Sequence, residues 1–156
     1  GGFAISQPAN GVVTTKTIPG VIGWISSPVV AQGLLCAVDG EGDLSMFDID
    51  TAKPHWRQQV GLNVRQYAHA SPGVTSSPII AGKYLYVFDD AVTCAVIELG
   101  KEPKVVSNNP LHEFTEYWGP GRGGAQVNQY MISSPIMHRN RIYLQTGGWL
   151  WCIGEK

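Results

Sequence analysis

Charge is what this sequence has least of. Only 15% of its 156 residues are Asp, Glu, Lys or Arg, against about a quarter in ordinary soluble domains, and the formal net charge is −1. There is no basic run and no acidic tail, which argues against a nucleic-acid partner and against a charged membrane-surface patch. Long apolar runs are missing too. Nothing approaches the roughly 18 apolar residues of a membrane-spanning helix. The first residues also lack the positively charged segment and apolar core of a signal peptide. No stretch holds an i, i+3, i+4 apolar stripe long enough for a helix.

Cysteine is scarce and odd in number. Cys36, Cys94 and Cys152 make no CxxC pair, no zinc spacing and no adjacent Cys–Cys pair. Free cysteine is commonly buried as a small hydrophobe, and that is the reading taken for all three. A Cys94–Cys152 disulfide is the alternative, because the two fall at similar points of a repeat. The four histidines, His55, His69, His112 and His138, show no ligand spacing such as HxxxH. No GxSxG or HExxH is present, so no catalytic residue and no metal ligand is assigned. Gly119–Gly124 reads GPGRGG, but no helix follows it to form a phosphate site.

What the chain does have is repetition. Ile25–Val30 reads ISSPVV, Thr75–Ile80 reads TSSPII and Ile132–Met137 reads ISSPIM. Intervals of this size belong to blades or solenoids rather than to heptads. Each Ser-Ser-Pro opens an apolar strand, followed by a turn and a second strand, and the turns carry Gln-Gly, Gly-Lys, Asp-Gly and Gly-Gly, which are hairpin signals. The first copy reads as strands 27–31, 34–39, 43–48 and 54–60. The second reads as 77–81, 84–89, 92–98 and 103–107, and the third as 134–138, 141–146 and 149–153. Four antiparallel strands per copy is the unit of a β-propeller blade. The expectation is therefore an all-β chain and a partial β-propeller of about three blades. Residues 1–23 are expected to be the last two strands of a preceding blade. Blades then cover 24–60 and 76–107, and an incomplete one covers 132–153.

Met46–Trp56 carries a more specific signal, with Asp48, Thr51, Lys53 and Trp56 in order. Together with the three Ser-Ser-Pro copies, it resembles the repeat of the PQQ-like, quinoprotein-type propellers. That family includes quinoprotein alcohol dehydrogenases and an outer-membrane assembly lipoprotein. Its signature has Ala and Gly where this chain has Met46 and Ala52. The resemblance implies that Trp56 lies flat between neighbouring blades and that Asp48 and Thr51 shape the turn before the outer strand. It also implies a periplasmic or extracytoplasmic setting. A quinoprotein dehydrogenase would further need PQQ, calcium with its ligands and an adjacent-cysteine disulfide. No Cys–Cys is present here, so PQQ and calcium belong only to the alternative in which the chain is a fragment of such an enzyme. The acids of Asp39–Asp43 (DGEGD) alternate as in calcium loops, but no later Glu completes the pattern, and a polar hairpin tip is expected.

Two linkers, 61–75 and 108–131, exceed what blade-to-blade connections require, and long loops inside compact domains are usually functional or disordered. They hold Arg65, Tyr67, His69, His112, Glu113, Glu116, Tyr117, Trp118, Arg122 and Gln126. Aromatic and arginine residues of this kind dominate recognition surfaces. The expected partner is a protein, peptide or glycan on the linker face. A closed ring of three blades would fall below the usual range of four to eight. The propeller is therefore expected to need missing blades or a second copy, in which residues 3–17 of one chain complete the blade begun by 134–153 of another.

Overall fold

A computed structural model describes residues 2–10, 12–19, 26–62, 74–89, 92–111, 133–146 and 150–154. Among them there is no helix and every sheet is antiparallel. A hairpin pairs β1 (Gly2–Ala9) with β2 (Val12–Pro19). The first four-stranded sheet follows as β3 (Val29–Ala31), β4 (Leu34–Val38), β5 (Asp43–Asp48) and β6 (Pro54–Gln59). The second is β7 (Ile79–Ala81), β8 (Tyr84–Phe88), β9 (Thr93–Glu98) and β10 (Lys104–Pro110). The third has three described strands, β11 (Ile136–His138), β12 (Arg141–Gln145) and β13 (Leu150–Ile153). Strand order in each sheet is sequence order, the meander that short hairpins impose.

The first-to-second-strand hairpins close through two-residue loops, since Ala31 pairs Leu34, Ala81 pairs Tyr84 and His138 pairs Arg141. Such loops need positive φ to match the strand twist, and they have it: 51° at Gln32, 76° at Gly33, 59° at Gly82, 47° at Arg139 and 61° at Asn140. The first strand of each sheet starts two residues later than expected. Ser27 and Ser77 send their N–H groups to a neighbouring sheet instead of joining the ladder. In the second sheet the fourth strand runs on to Pro110 instead of ending at 107. A bulge between Val105 and Ser107 shifts the register there.

The core lies between sheets. One face of the first sheet (Cys36, Val38, Leu44 and Met46, with Trp56 partly buried) packs against Leu85, Val87, Ala95 and Ile97 of the second. The opposite face of the second sheet (Phe88 and Cys94, with Tyr86 and Val96) packs against Ile142 and Leu144 of the third. Ile18 of β2 covers Leu35, Ala37 and Phe47 on the rear of the first sheet. Side chains alternate across a strand with period two, so both faces of the two middle sheets are used. The forward face of the third sheet is open: Ile136 is 64% exposed and Leu150 74%.

Candidate functional site

The repeated serines build the seams between sheets, and the two members of each pair do different things. The first donates its hydroxyl back into its own sheet, twelve residues on: Ser26 Oγ to the Val38 carbonyl at 2.9 Å, Ser76 Oγ to the Phe88 carbonyl at 2.9 Å and Ser133 Oγ to the Gln145 carbonyl at 2.5 Å. The second serves its neighbour. Ser27 N–H donates to Ser77 Oγ at 2.8 Å, and Ser77 N–H donates to Ser134 Oγ at 3.0 Å. A relay of serine oxygens thus runs from sheet to sheet beside the first strands. Proline next in line has no N–H to leave unpaired.

The carboxylates of the hairpins between second and third strands are also spent on backbone. Asp39 Oδ1 accepts from the N–H groups of Glu41 at 2.9 Å and Asp43 at 3.0 Å, while Asp43 bonds Arg57 at 2.8 Å. In the second sheet the fully buried Asp89 accepts from Thr93 N–H at 2.7 Å. DGEGD is therefore a hairpin tip in which Gly42 takes φ 86°. At the corresponding place the second sheet puts Val92, at φ 59° and fully buried, an unusual conformation for a β-branched residue.

Asp48 organises the turn into the fourth strand of the first sheet. Its Oδ1 accepts from Thr51 N–H at 2.7 Å and from Thr51 Oγ1 at 2.6 Å, while Ala52 N–H donates to the Asp48 carbonyl at 2.8 Å. The Thr51 hydroxyl, then its N–H, hold the Asp48 carboxyl below its ordinary value. A depressed folded pKa means the turn is supported above the unfolded value of 3.8 and loses that support as pH falls through the folded one. Replacing Thr51 by Val should raise the Asp48 pKa towards 3.8, measurable by following its carboxyl in an NMR titration. Ala52 sits at φ 59°. A non-glycine residue there costs about 1–2 kcal/mol, and glycine's extra unfolded-state entropy returns about 0.5–1 kcal/mol. Ala52→Gly should therefore stabilise by about 0.5–1 kcal/mol in thermal melts.

The thiols are all free. Burial pushes Cys36 up to about 11, and burial followed by the nearby Asp89 pushes Cys94 up to about 12, so neither is a thiolate nucleophile near neutral pH. The Cys94–Cys152 disulfide does not form. Cys94 faces the third sheet from within the core, whereas Cys152 is exposed on that sheet's far side. The expectation that all three thiols are buried likewise fails at Cys152.

The long linkers are anchored where they are described. Val60 N–H donates to the Gly42 carbonyl at 3.4 Å, Val74 N–H to the Gly40 carbonyl at 3.3 Å and Leu111 N–H to the Val92 carbonyl at 3.1 Å. Their roots therefore stand beside the second-to-third-strand hairpins, at one end of the sheets. The candidate binding residues Arg65, Tyr67, His69, His112, Tyr117, Trp118, Arg122 and Gln126, with Glu113 and Glu116, lie outside the described residues. Trp56, the candidate docking residue, is half-buried and packs on the core between the first and second sheets.

At the opposite end, the tips of two hairpins enclose a cleft of about 1030 Å³ between the second and third sheets. Lys83, Tyr84 and Tyr86 face Met137, Arg139 and Arg141 across it. Sequence reading did not find this cleft, because its two sides lie more than fifty residues apart and share no local pattern.

No protein-family model matches the chain, and no curated protein matches it. Among solved structures, BamB from Moraxella catarrhalis is similar with a TM-score of 0.32 at 13% identity, covering 77% of this chain and 39% of that one. The chain thus spans well under half the length of that structure, and a likeness of this size supports no inference about fold or partner. Among the described residues, no helix is long and apolar enough to cross a membrane.

Proposed function

We propose that this chain is a run of PQQ-like propeller blades acting as a non-catalytic scaffold. In this reading the long-linker face is offered to a protein, peptide or glycan partner. The observation that carries it is where the repeated polar groups go. Both serines of the seams, Asp39, Asp48 and Asp89 all bond backbone groups of their own or a neighbouring sheet. The two buried thiols are held protonated by their surroundings. The chemistry that recurs along the sequence therefore works on architecture, which leaves the non-repeated linkers as the place for recognition. Asp48, Thr51 and Trp56 act as blade-docking residues, and further blades or a second copy complete the ring.

Two measurements test the reading. The chain given PQQ and calcium should show no reduction of an artificial electron acceptor with alcohols or sugars. Turnover that is lost when an acidic residue is replaced would establish the quinoprotein alternative instead. Replacing Trp118 and Arg122 by alanine should leave folding stability nearly unchanged while weakening partner capture by about 2 kcal/mol or more. Unfolding of that variant would make the 108–131 linker a packed plug rather than a recognition loop.

A further inference from the structure

We propose that the cleft between the second and third sheets binds an extended acidic peptide that also carries apolar side chains. It opens at the first-to-second-strand hairpins, the end opposite the long-linker roots, and is independent of the scaffold reading. Its rim holds three cations, Lys83, Arg139 and Arg141. The carboxylate of Glu98 is already taken by Lys83, at 2.6 Å. Neither arginine has a carboxylate partner among the described residues. Two guanidinium groups uncommitted among the described residues, on a chain of net charge −1, are a local excess there, and their planar forks suit carboxylates.

The floor is not ionic. Tyr84, Tyr86 and Met137 line it, and burial, first among the causes, raises the Tyr86 pKa, which keeps its hydroxyl a donor. A lone small anion would meet only exposed cations, which are worth little in water. A ligand that covers tyrosine and methionine while presenting carboxylates to the rim uses both halves of the cleft. Its volume of about 1030 Å³ stands at the top of the roughly 300–1,000 Å³ of small-molecule sites, which favours a peptide segment.

Arg139 takes φ 47°, as its two-residue loop requires; the corresponding positions are Gln32 at φ 51° in the first sheet and Gly82 at φ 59° in the second. Gly154 keeps the neighbouring wall thin: a Cβ there would lie 2.8 Å from Arg141 Cγ and 3.0 Å from the Asn140 carbonyl oxygen.

The probe is a fluorescein-labelled peptide alternating glutamate with phenylalanine, followed by fluorescence anisotropy against the whole chain. Saturable binding that weakens with added salt is expected, and a version with glutamine for glutamate should bind about tenfold more weakly or worse. The double substitution Arg139→Gly with Arg141→Gln should lower affinity by about tenfold or more while the melting temperature holds or rises, because glycine relieves the positive φ. Should that variant fail to fold, Gly154→Ala crowds Arg141 without changing charge and should weaken binding in the same assay. Equal binding of the glutamine peptide, or wild-type affinity in the folded double variant, would overturn the proposal. So would uptake of inorganic phosphate or phosphatidylglycerol vesicles with none of the peptide.

Discussion

Leu44→Ala should destabilise the chain by about 2–5 kcal/mol in urea or thermal unfolding, whereas Leu150→Ala should change it by no more than about 0.5 kcal/mol. The two leucines occupy the same place in their sheets. Leu44 opposes Val38 across the second-to-third-strand pair, and Leu150 opposes Gln145. They differ in what lies in front of them, and β5 also has β6 beside it whereas β13 is the last described strand of its sheet. Leu44 is 0% exposed because the second sheet covers it, while Leu150 is 74% exposed on the forward face of the third. Cys94, at the equivalent place in the second sheet, is 5% exposed against the third. A deleted leucine loses its transfer energy and leaves a cavity only where atoms surrounded it, so the contrast measures chiefly the packing of the second sheet over Leu44. Comparable losses at both positions would mean that something covers the forward face of the third sheet in solution.

The repeat was legible because its residues perform bonds that every copy must make. Ser-Ser-Pro recurs because one serine closes its own sheet and the other receives its neighbour. Hairpins could be placed from Gln32-Gly33 and Gly82-Lys83 because a two-residue loop on a twisted ladder favours positive φ; Arg139-Asn140 adopts the same loop without a turn composition that announces it. The first strand of each sheet starts two residues late for a reason invisible in propensity: Ser27 and Ser77 send their N–H groups sideways to another sheet. The end of β10 was missed because Asn108-Asn109-Pro110 has the composition of a loop. A bulge after Val105 lets the strand continue through it. The division of labour within each serine pair was also hidden, since a sequence shows that both residues recur but not that they bond in different directions. The cleft between Arg139 and Tyr84 was out of reach altogether. Its sides meet only once two sheets have packed, and packing is a long-range fact.

Ser76→Ala should cost about 1–3 kcal/mol, and Ser133→Ala no more than about 0.5 kcal/mol, although the two hydroxyls make the same bond to a carbonyl twelve residues on. Burial decides the difference. Ser76 is 1% exposed and its acceptor residue Phe88 is 0% exposed. Alanine there would leave a carbonyl lone pair that water cannot reach, with the full desolvation penalty unrelieved. Ser133 is half-buried and Gln145 is exposed, so water replaces the lost donor at small cost. Ser26, 8% exposed, should fall between them, giving an ordered series from one chemical change. Urea midpoints with unchanged m-values would read it directly. If all three substitutions cost the same, the hydroxyl acts through the local conformation of the Ser-Ser-Pro turn, and the seam is held by the apolar faces alone.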